Sequence, residues 1–334
     1  MSFSAEWSDR PAVTVCVITY NQESYIEEAL ESILMQETNF NVHLLIHDDC
    51  STDRTPDIIR RYQKQYPDQI EAILQKENQF SQGVRIQGEI LAPRVKTAFA
   101  ALNEGDDFWL DPHKLQIQYD YMMANPDCAA CCHAATQVSS DGKKTGFDMR
   151  IEFEPEDEDR DLEMPFLIDK GSKAPTNSYF YRAELGKEGF PEFYNGCAVG
   201  DYPMILYFAS QGKVHFMNRI MSAYRHNAKG SWTRSWVIDP AVYVRTNESI
   251  SQMLKKFDKY TEGRYHNEIK IKLNIYKFEN LLTKRDLKGL KEEPYASLYK
   301  ALPLKRRVRF QLSSRLRLLH GIKRKLDIKR YGGS

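Results

Sequence analysis

The N-terminal third of the chain alternates between apolar runs and amphipathic segments. Residues 11–21, PAVTVCVITYN, form an unbroken apolar and β-branched run that ends in polar side chains, which is typical of a strand buried on both faces of a parallel sheet. The following ESYIEEALESILMQ has acidic residues in its first turn, where the helix dipole favours them, and one apolar stripe. That stripe consists of Ile26, Leu30, Ile33 and Leu34. The pattern predicts a strand followed by a helix.

The same plan repeats further along the chain. In NVHLLIHDDCSTDRT an apolar strand runs into a polar tip, and a helix is predicted from about Thr55 to Tyr66 with Pro56 near its start. QIEAILQK is predicted to be a third short strand. Strands and helices that alternate in this way predict an α/β fold with a right-handed, doubly wound, mostly parallel sheet.

Polar side chains cluster where three of the predicted strands end. Thr19, Tyr20 and Asn21 follow the first strand, Asp48 and Asp49 the second, and Glu104, Asp106 and Asp107 a later apolar run. Ligands of doubly wound sheets bind outside the carboxyl ends of the strands, so we expect the three groups to face one crevice. Carboxylates packed this closely repel one another unless a cation compensates. Residues 104–107, the acidic loop, therefore suit Mg²⁺ or Mn²⁺ together with substrate phosphates.

Beyond residue 130 the pattern is less regular. CAACCH at 128–133 has the composition of a metal-binding tract, but its apolar surroundings and the SSDGK turn after it favour a strand with small buried side chains. We therefore assign no metal there. Residues 139–165 are predicted to be a mobile loop rich in Glu and Asp, for which a solvated surface is favoured over a binding role. GDYPMILYFASQG predicts a helix with Asp201 near its start, KVHFMNRIMSAYRHN a final strand, and about Asp239 to Glu279 further helices.

Composition restricts the class of protein. The 334 residues carry 47 Lys and Arg against 46 Asp and Glu, a net charge of +1 that by itself indicates no polyanionic partner. The N-terminus lacks the pattern of a secretion signal, and no apolar stretch is long enough to span a membrane. We expect a cytoplasmic protein whose 6 cysteines are reduced thiols.

Basic residues crowd the C-terminal segment from Leu304 to Arg330, where apolar side chains are interleaved with cations. Such a segment can lie on an anionic membrane surface, but it can equally be a solvated tail or a helix packed on a partner protein. Attachment to the inner face of the membrane is slightly favoured. Nucleic-acid binding is not expected, because no recognised nucleic-acid fold accompanies the charge.

Four segments resemble a known family in their order and separations. They are VTVCVITYNQESYIEEALESILMQ, HDDCSTDRT, NEGDDFWLDPHKLQ and GDYPMILYFASQGKVHFMNRIMSAYRHNAKGSW. Together they resemble the family 2 glycosyltransferases, inverting enzymes with the GT-A fold, over about residues 11–235. The resemblance implies a GT-A domain at 1–235, with a nucleotide-sugar half at about 1–125 and an acceptor half at about 126–235. Residues 236–334 would be a helical extension with a basic amphipathic tail.

The resemblance also implies roles for individual residues. The expected nucleotide contacts are Thr19, Tyr20, Asn21, Glu23, Asp48, Asp49, Gly83 and Arg85. The expected metal ligands are Asp106, Asp107, Glu104 and His226, and the expected donor or acceptor contacts are Trp109, Arg225 and Trp232. Family members often read Asp-X-Asp-Asp in the metal motif, where this chain has Glu first. Asp106 is therefore the best candidate ligand.

Asp201 is the expected catalytic base, although Gly200 precedes it where the family often has Glu. A carboxylate beside the acceptor hydroxyl would take its proton as the oxygen attacks the anomeric carbon, and a single displacement inverts the configuration. The implied reaction is metal-dependent transfer from a nucleotide-diphosphate sugar, most simply a UDP-sugar, to a hydroxyl of a glycan or lipid-linked saccharide. The implied pathway is surface polysaccharide biosynthesis.

Two other functions compete with this interpretation. A non-catalytic subunit of a glycan assembly would keep the nucleotide-sugar pocket without turnover, but the retained Asp201 argues against it. A nucleotidyltransferase would carry a Gly-rich phosphate loop after the first strand, where this chain reads TYNQESY. The partly apolar C-terminal third could support a homodimer.

Overall fold

The computed structural model describes residues 12–150, 158–171, 173–226, 228, 239–308 and 310–311. The N-terminal part alternates strands and helices. In order they are β1 (Val13–Thr19), α1 (Ile26–Leu34), β2 (Val42–Asp48), α2 (Thr55–Gln65), β3 (Ile70–Leu74), β4 (Phe99–Glu104), β5 (Phe108–Trp109) and α3 (Lys114–Ala124). A 3₁₀ turn (Phe80–Gln82) and a π-helical turn (Ile86–Leu91) lie between β3 and β4.

The rest of the described chain adds a second set of strands and the C-terminal helices. The elements are β6 (Cys128–Val138), β7 (Lys144–Met149), β8 (Arg160–Asp161), α4 (Met164–Lys170), β9 (Phe180–Arg182), α5 (Asp201–Gln211), β10 (Lys213–Arg225), α6 (Pro240–Tyr260), α7 (His266–Lys284) and α8 (Tyr295–Ala301). A 3₁₀ turn (Thr176–Ser178) lies just before β9.

One sheet runs through the described residues, in the order β3-β2-β1-β4-β9-β6-β10-β5, with β7 paired to β6 and β8 to β10. The strands β3, β2, β1 and β4 are mutually parallel, as are β6 and β10. The short β9 is antiparallel to both β4 and β6 and joins the two parallel groups. The predicted α/β fold with a mostly parallel sheet is confirmed.

Helices cover both faces of this sheet, as the continuous apolar strands predicted. Val13, Val15 and Val17 of β1 pack in a core shared with α1, α2 and α3. Cys16 points to the opposite core, which is shared with α4, α5 and α6. The alternation of neighbouring side chains between two buried cores accounts for the apolar character of β1.

Two predictions about the middle of the chain have different outcomes. The CAACCH tract is indeed a strand, because residues 128–136 of β6 are all buried. The prediction of a mobile loop over residues 139–165 is wrong, because this stretch contains β7, β8 and the start of α4. Exposed side chains on β7 gave it the polarity of a loop, whereas its backbone pairs with β6.

The C-terminal predictions are confirmed only where the structure describes them. The helical region expected from Asp239 to Glu279 corresponds to α6 and most of α7. Most of the basic tail, from residue 312 onward, lies outside the described residues. No helix in the described part of the chain has both the length and the apolar character needed to cross a membrane.

Candidate functional site

The ends of β1, β2 and β4 meet at one edge of the sheet. In the parallel register Thr19 pairs with Asp48, and Ile18 pairs with Glu104. Backbone hydrogen bonds carry the pairing beyond the strands, since Asp49 N donates to Thr19 O at 3.0 Å and Gly105 N donates to Ile18 O at 2.9 Å. The three polar groups predicted to face one crevice are therefore neighbours, and we call this region the site crevice.

The loops after β1 and β2 are fastened to each other. Asn21 adopts a left-handed backbone, with φ of 53°, and its side-chain oxygen accepts from Thr52 N at 2.8 Å. Glu23 N donates to the Asp53 carboxylate at 3.0 Å, while the Glu23 carboxylate accepts from Arg54 N at 3.1 Å. The structure thus uses Asn21 and Glu23 to fix the loops that border the crevice.

Asp48 and Asp49 are both buried and hold backbone in place. Asp48 accepts from Ser51 N at 3.0 Å and from the Ser51 hydroxyl, and burial raises the pKa of its carboxyl. Asp49 accepts from Gln79 N at 2.7 Å and Phe80 N at 3.1 Å. The carboxylates expected to contact a nucleotide therefore also shape the loop that would surround it.

That loop, residues 78–85, carries Gly83 and Arg85, two of the expected nucleotide contacts. A third, Tyr20, lies on the loop after β1. Gly83 ends the 3₁₀ turn with φ of +88°, and a Cβ on it would meet no other atom within 4 Å. The Arg85 guanidinium lies 5.6 Å from the centre of the Phe80 ring, and its buried Nε has no hydrogen-bond partner among the described residues. Tyr20, on the loop after β1, is 45% exposed. An unpaired buried guanidinium nitrogen fits an anionic ligand.

The acidic loop approaches β1 very closely at Gly105. A Cβ at this position would lie 2.4 Å from Gln22 Oε1 and 2.7 Å from Thr19 Oγ1. Neither of those buried oxygens has a hydrogen-bond partner among the described residues. Glycine is therefore required here by space.

Three half-buried carboxyl groups face the crevice from the acidic loop and from α5. Burial, followed by the charges of Asp106 and Asp201, raises the pKa of Glu104 to about 8, against a hydrogen bond from the Thr176 side chain. Burial also raises the pKa of Asp106, against the charge of Arg225 and a hydrogen bond from Gln22. The charge of Asp201 acts on Glu104, so the start of α5 lies near the acidic loop.

Asp201 is the first residue of α5. Its Oδ1 accepts from Tyr202 N at 2.8 Å, and burial raises the pKa of its carboxyl. A carboxyl with a raised pKa is a better proton acceptor than an ordinary aspartate. The role of Asp201 as the catalytic base stays a prediction, with which its raised pKa is compatible.

Asp107 occupies a different environment from its neighbour Asp106. It is 1% exposed, its Oδ1 accepts from Arg225 N at 2.8 Å, and its Oδ2 accepts from Asn177 Nδ2 at 2.9 Å. Both oxygens are engaged by protein donors inside the fold. Asp107 therefore has a structural role in the fold, and its role as a metal ligand stays a prediction.

Arg225 and Trp109 were expected to contact donor or acceptor, and both are buried instead. The Arg225 guanidinium donates to Asp106 O at 2.8 Å and to Ser140 O at 3.1 Å, and it pairs with Glu28. Trp109 is 1% exposed, and its Nε1 donates to Asn177 O at 3.0 Å. Both side chains thus bind the protein itself, and their contact with donor or acceptor stays a prediction.

The two remaining predicted residues follow β10. His226 is half-buried and its backbone N donates to Val138 O at 2.8 Å. Trp232 lies outside the described residues. Sequence reasoning missed Thr176 and Asn177, which contact Glu104 and Asp107; the only signal was a short polar run, PTNS, in front of the apolar YFY.

The carboxylates of the crevice fit a divalent cation that is completed by a ligand. Within the described residues, no group of three or more His, Cys, Asp and Glu side chains has the geometry of a metal site. Asp106 and Glu104 remain as two carboxylates whose burial and mutual repulsion a cation would relieve. One or two protein carboxylates with substrate phosphates are the usual surroundings of Mg²⁺.

Comparison with known families decides the identity. The family model of glycosyl transferase family 2 matches residues 14–180, which is half of the chain and contains the ends of β1, β2 and β4. The chain belongs to glycosyl transferase family 2. This membership confirms the resemblance of the four sequence segments.

Two relatives of this family 2 chain match it over part of their length. It is 34% identical over 220 residues to the uncharacterized protein Rv1520 of Mycobacterium tuberculosis, which is 66% of the chain and 60% of that relative. It is 31% identical over 133 residues, 40% of the chain and 50% of the relative, to TuaG of Bacillus subtilis. TuaG is named provisionally as a teichuronic acid biosynthesis glycosyltransferase. The chain thus spans between half and two thirds of the length of these relatives.

Solved structures share the fold at low sequence identity. S. aureus TarS 1-349 in complex with UDP-GlcNAc matches with a TM-score of 0.56 and 17% identity, over 88% of this chain and 76% of that one. The mannosyltransferase PcManGT of Pyrobaculum calidifontis, in complex with GDP-Man and Mn²⁺, matches with a TM-score of 0.51 and 14% identity, over 93% and 87%. The predicted GT-A fold of this family 2 chain is thereby confirmed.

Proposed function

We propose that the chain is an inverting, metal-dependent glycosyltransferase that moves a sugar from a nucleotide-diphosphate sugar to a hydroxyl group. One observation carries the proposal: the charge of Asp201 acts on Glu104, which lies at the carboxyl end of the parallel strand β4. Transfer needs a base for the acceptor and charge compensation for the leaving diphosphate. The base would lie on α5, and the residues that hold the compensating charge would lie on the acidic loop.

The donor half of the site would be built from the loops after β1, β2 and β3. Tyr20 and Arg85 offer an exposed ring and an unpaired guanidinium nitrogen to the nucleotide. Solved structures of the same fold hold UDP-GlcNAc or GDP-Man, which supports a nucleotide-sugar donor. A UDP-sugar is the first donor to test.

The cofactor would be Mn²⁺ or Mg²⁺. Asp106, with Glu104, would hold the ion. His226, which directly follows β10, would be a further ligand. The ion would supply positive charge against the diphosphate as it leaves. The presence of Mn²⁺ in the PcManGT complex is consistent with this cofactor.

The chemical step would proceed as one displacement. The acceptor oxygen attacks the anomeric carbon while the Asp201 carboxylate takes its proton, and the bond to the diphosphate breaks with its electron pair leaving on the nucleotide. Because attack and departure occur on opposite faces, the anomeric configuration inverts. A raised pKa brings the basicity of Asp201 closer to that required near neutral pH.

The acceptor would be a hydroxyl of a glycan or lipid-linked saccharide in surface polysaccharide biosynthesis, in keeping with the name of TuaG. The nucleotide-sugar half would comprise about residues 1–125 and the acceptor half about 126–235. A cytoplasmic location, attachment of the basic tail to the inner face of the membrane and homodimerisation stay predictions.

The proposal is tested by Asp201→Asn. We expect this substitution to abolish sugar transfer while leaving donor affinity within about twofold, since only the proton acceptor is lost. Donor consumption and the anomeric configuration of the product are measured by NMR, and donor binding by calorimetry. Transfer at a near wild-type rate by this variant would show that Asp201 is not the catalytic base. Donor binding without any consumption by the unaltered chain would favour a non-catalytic subunit.

A further inference from the structure

Asn177 lies at the centre of a buried polar cluster beneath the acidic loop. It is fully buried in the 3₁₀ turn (Thr176–Ser178) before β9. Its Nδ2 donates to Asp107 Oδ2 at 2.9 Å and to Ala223 O at 3.0 Å, while its Oδ1 accepts from the Ser222 hydroxyl at 2.7 Å. Both amide hydrogens and the amide oxygen therefore have partners.

These contacts join three separate parts of the chain. Asp107 belongs to the acidic loop, Ser222 and Ala223 belong to β10, and Trp109 of β5 donates its indole N–H to Asn177 O at 3.0 Å. All of the participating groups are buried. In a low-dielectric interior such hydrogen bonds are strong and are costly to leave unmade.

The cluster extends to the candidate metal ligand through the backbone. Asp107 Oδ1 accepts from Arg225 N at 2.8 Å, and Arg225 Nε donates to Asp106 O at 2.8 Å. Arg225 thus links the Asp107 carboxylate to the peptide that carries Asp106. Asn177 is the side chain that holds the other oxygen of this carboxylate.

We propose that Asn177 is a positioning residue, which holds Asp107 so that Asp106 faces the site crevice and can bind a divalent cation together with the nucleotide. The inference rests on the proposed function. It assigns to Asp107 and Asn177 a joint role in placing the metal ligand, with no direct contact to donor or acceptor. Asparagine suits the position because it supplies two donors and one acceptor in a single planar group.

Calorimetry of UDP binding in Mn²⁺ and in EDTA tests this role. For Asn177→Ala we expect the tightening of UDP binding by Mn²⁺ to fall roughly tenfold or more, since a buried carboxylate loses its donor and the loop shifts. Affinity in EDTA should stay within about twofold, because the hydrogen-bond partners of the Asn177 side chain, Asp107, Ser222 and Ala223, lie outside the loops after β1 and β2. Asn177→Asp, which keeps the shape but opposes two carboxylates, should have the same effect.

A matched control separates positioning from general loss of stability. Asn280 is also a buried asparagine, and its Oδ1 accepts from Asn247 Nδ2 at 3.0 Å in the α6–α7 pair. Asn280→Ala should lower the melting temperature while leaving the Mn²⁺ effect unchanged. Equal loss of the Mn²⁺ effect in both variants, at equal loss of melting temperature, would overturn the role of Asn177.

A double substitution provides a rescue that a purely structural role of either residue would not give. Asp107→Asn combined with Asn177→Asp restores one donor and one acceptor between the two positions and still leaves an acceptor for Arg225 N. In either single variant, Mn²⁺ should tighten UDP binding less than in the unaltered chain. We expect the double variant to recover at least half of this loss, measured on a logarithmic scale. No recovery in a folded double variant would indicate that the Asp107 carboxylate itself binds the ion and would contradict the proposal.

The two hypotheses fail in different ways. If the unaltered chain binds UDP, or another nucleoside diphosphate used in its place, and Asn177→Ala keeps the full Mn²⁺ effect, then only the role of Asn177 is wrong. If the unaltered chain binds no nucleoside diphosphate in either condition, then the proposed function is wrong.

Discussion

Gly105 lies where the acidic loop passes the end of β1 with no room for a side chain. The position of a Cβ would be 2.4 Å from Gln22 Oε1, which could move, but also 2.8 Å from Thr19 Cβ on a buried strand, which could not. The closeness of the two backbones sets the position of Asp106 relative to the loops after β1 and β2. A glycine between two acids in the sequence is thus a packing requirement.

We predict that Gly105→Ala destabilises the fold by about 1–3 kcal/mol, because the loop must move away from β1. The same shift should weaken Mn²⁺-dependent nucleotide binding. Gly200→Ala is the control, since its Cβ would be 3.5 Å from Tyr194 Oη, an ordinary contact. Urea unfolding of both variants measures the difference, and equal stabilities would contradict this interpretation of Gly105.

Lys114 is a second residue whose chemistry follows from its surroundings. It is fully buried in the first turn of α3, its Nζ donates to Gln118 Oε1 at 2.8 Å, and it lies 3.9 Å from the centre of the Trp109 ring. Burial lowers the pKa of Lys114 to about 7. In the unfolded chain the same amine has a pKa near its ordinary value of about 10.4.

Between these two pKa values the unfolded chain holds a proton that the folded chain releases, so folding stability gains with rising pH. We predict that the free energy of unfolding of the unaltered chain rises with pH relative to that of Lys114→Met. The gain is at most about 1.4 kcal/mol per pH unit between about pH 7.5 and 9. Parallel pH profiles of the two proteins in urea unfolding would show that Lys114 remains charged in the fold.

At the scale of elements, Arg225 connects the end of β10 to three other parts of the structure. Its guanidinium donates to Asp106 O and to Ser140 O in the β6–β7 turn, and it pairs with Glu28 of α1. The group lies 4.7 Å from the centre of the Tyr25 ring. Five donors in one plane allow a single arginine to satisfy partners from several elements.

We predict that Arg225→Met costs roughly 3 kcal/mol or more, because it leaves two part-buried carbonyl groups and the Glu28 carboxylate without their buried donor. Amide exchange should accelerate in the turn around Ser140. Arg150→Met is the control, since Arg150 is part-exposed, pairs with Asp148 at 3.8 Å and should cost less than about 1 kcal/mol. A cost for Arg225→Met no larger than for Arg150→Met would contradict the role assigned to this arginine.

The sequence predicted those elements in which local pattern and tertiary environment agree. β1 and β2 are buried on both faces, so their continuous apolar runs indicated strands. The polar groups at the ends of these parallel strands therefore meet at one edge of the sheet. β7 was missed because its exposed side chains look like those of a loop, and the turn that joins it to β6 contains only polar residues and glycine. Backbone pairing of an exposed edge strand leaves little signal in its side chains.

The same distinction applies to single residues in the site. Asp106 and Asp107 are adjacent and chemically identical in sequence, but Asp106 is half-buried, whereas Asp107 is fully buried and bound by Asn177. Trp109 and Arg225 have side chains that often bind sugars and phosphates, and here they bind the protein itself. Which side of a loop a residue faces depends on contacts with distant segments such as the Thr176–Ser178 turn.

At the scale of the whole molecule, one sheet joins the half that would bind the donor to the half that carries Asp201. β9 pairs with β4 on one side and with β6 on the other, and the turn before it touches the acidic loop through Asn177. The candidate base and the candidate metal ligand are therefore held by one continuous sheet. A rigid scaffold of this kind is what a single displacement between two bound substrates requires.

We propose that this crevice binds a nucleoside diphosphate through a metal ion held by Asp106. Calorimetric titration with UDP, GDP and their sugars, in Mn²⁺ and then in EDTA, tests it most directly on the unaltered chain and on Asp106→Ala. We expect binding of one nucleotide that is tighter in Mn²⁺ and that weakens at least roughly tenfold in the variant, because the ion loses its best protein ligand. Absence of binding by every nucleotide in both conditions would contradict the claim.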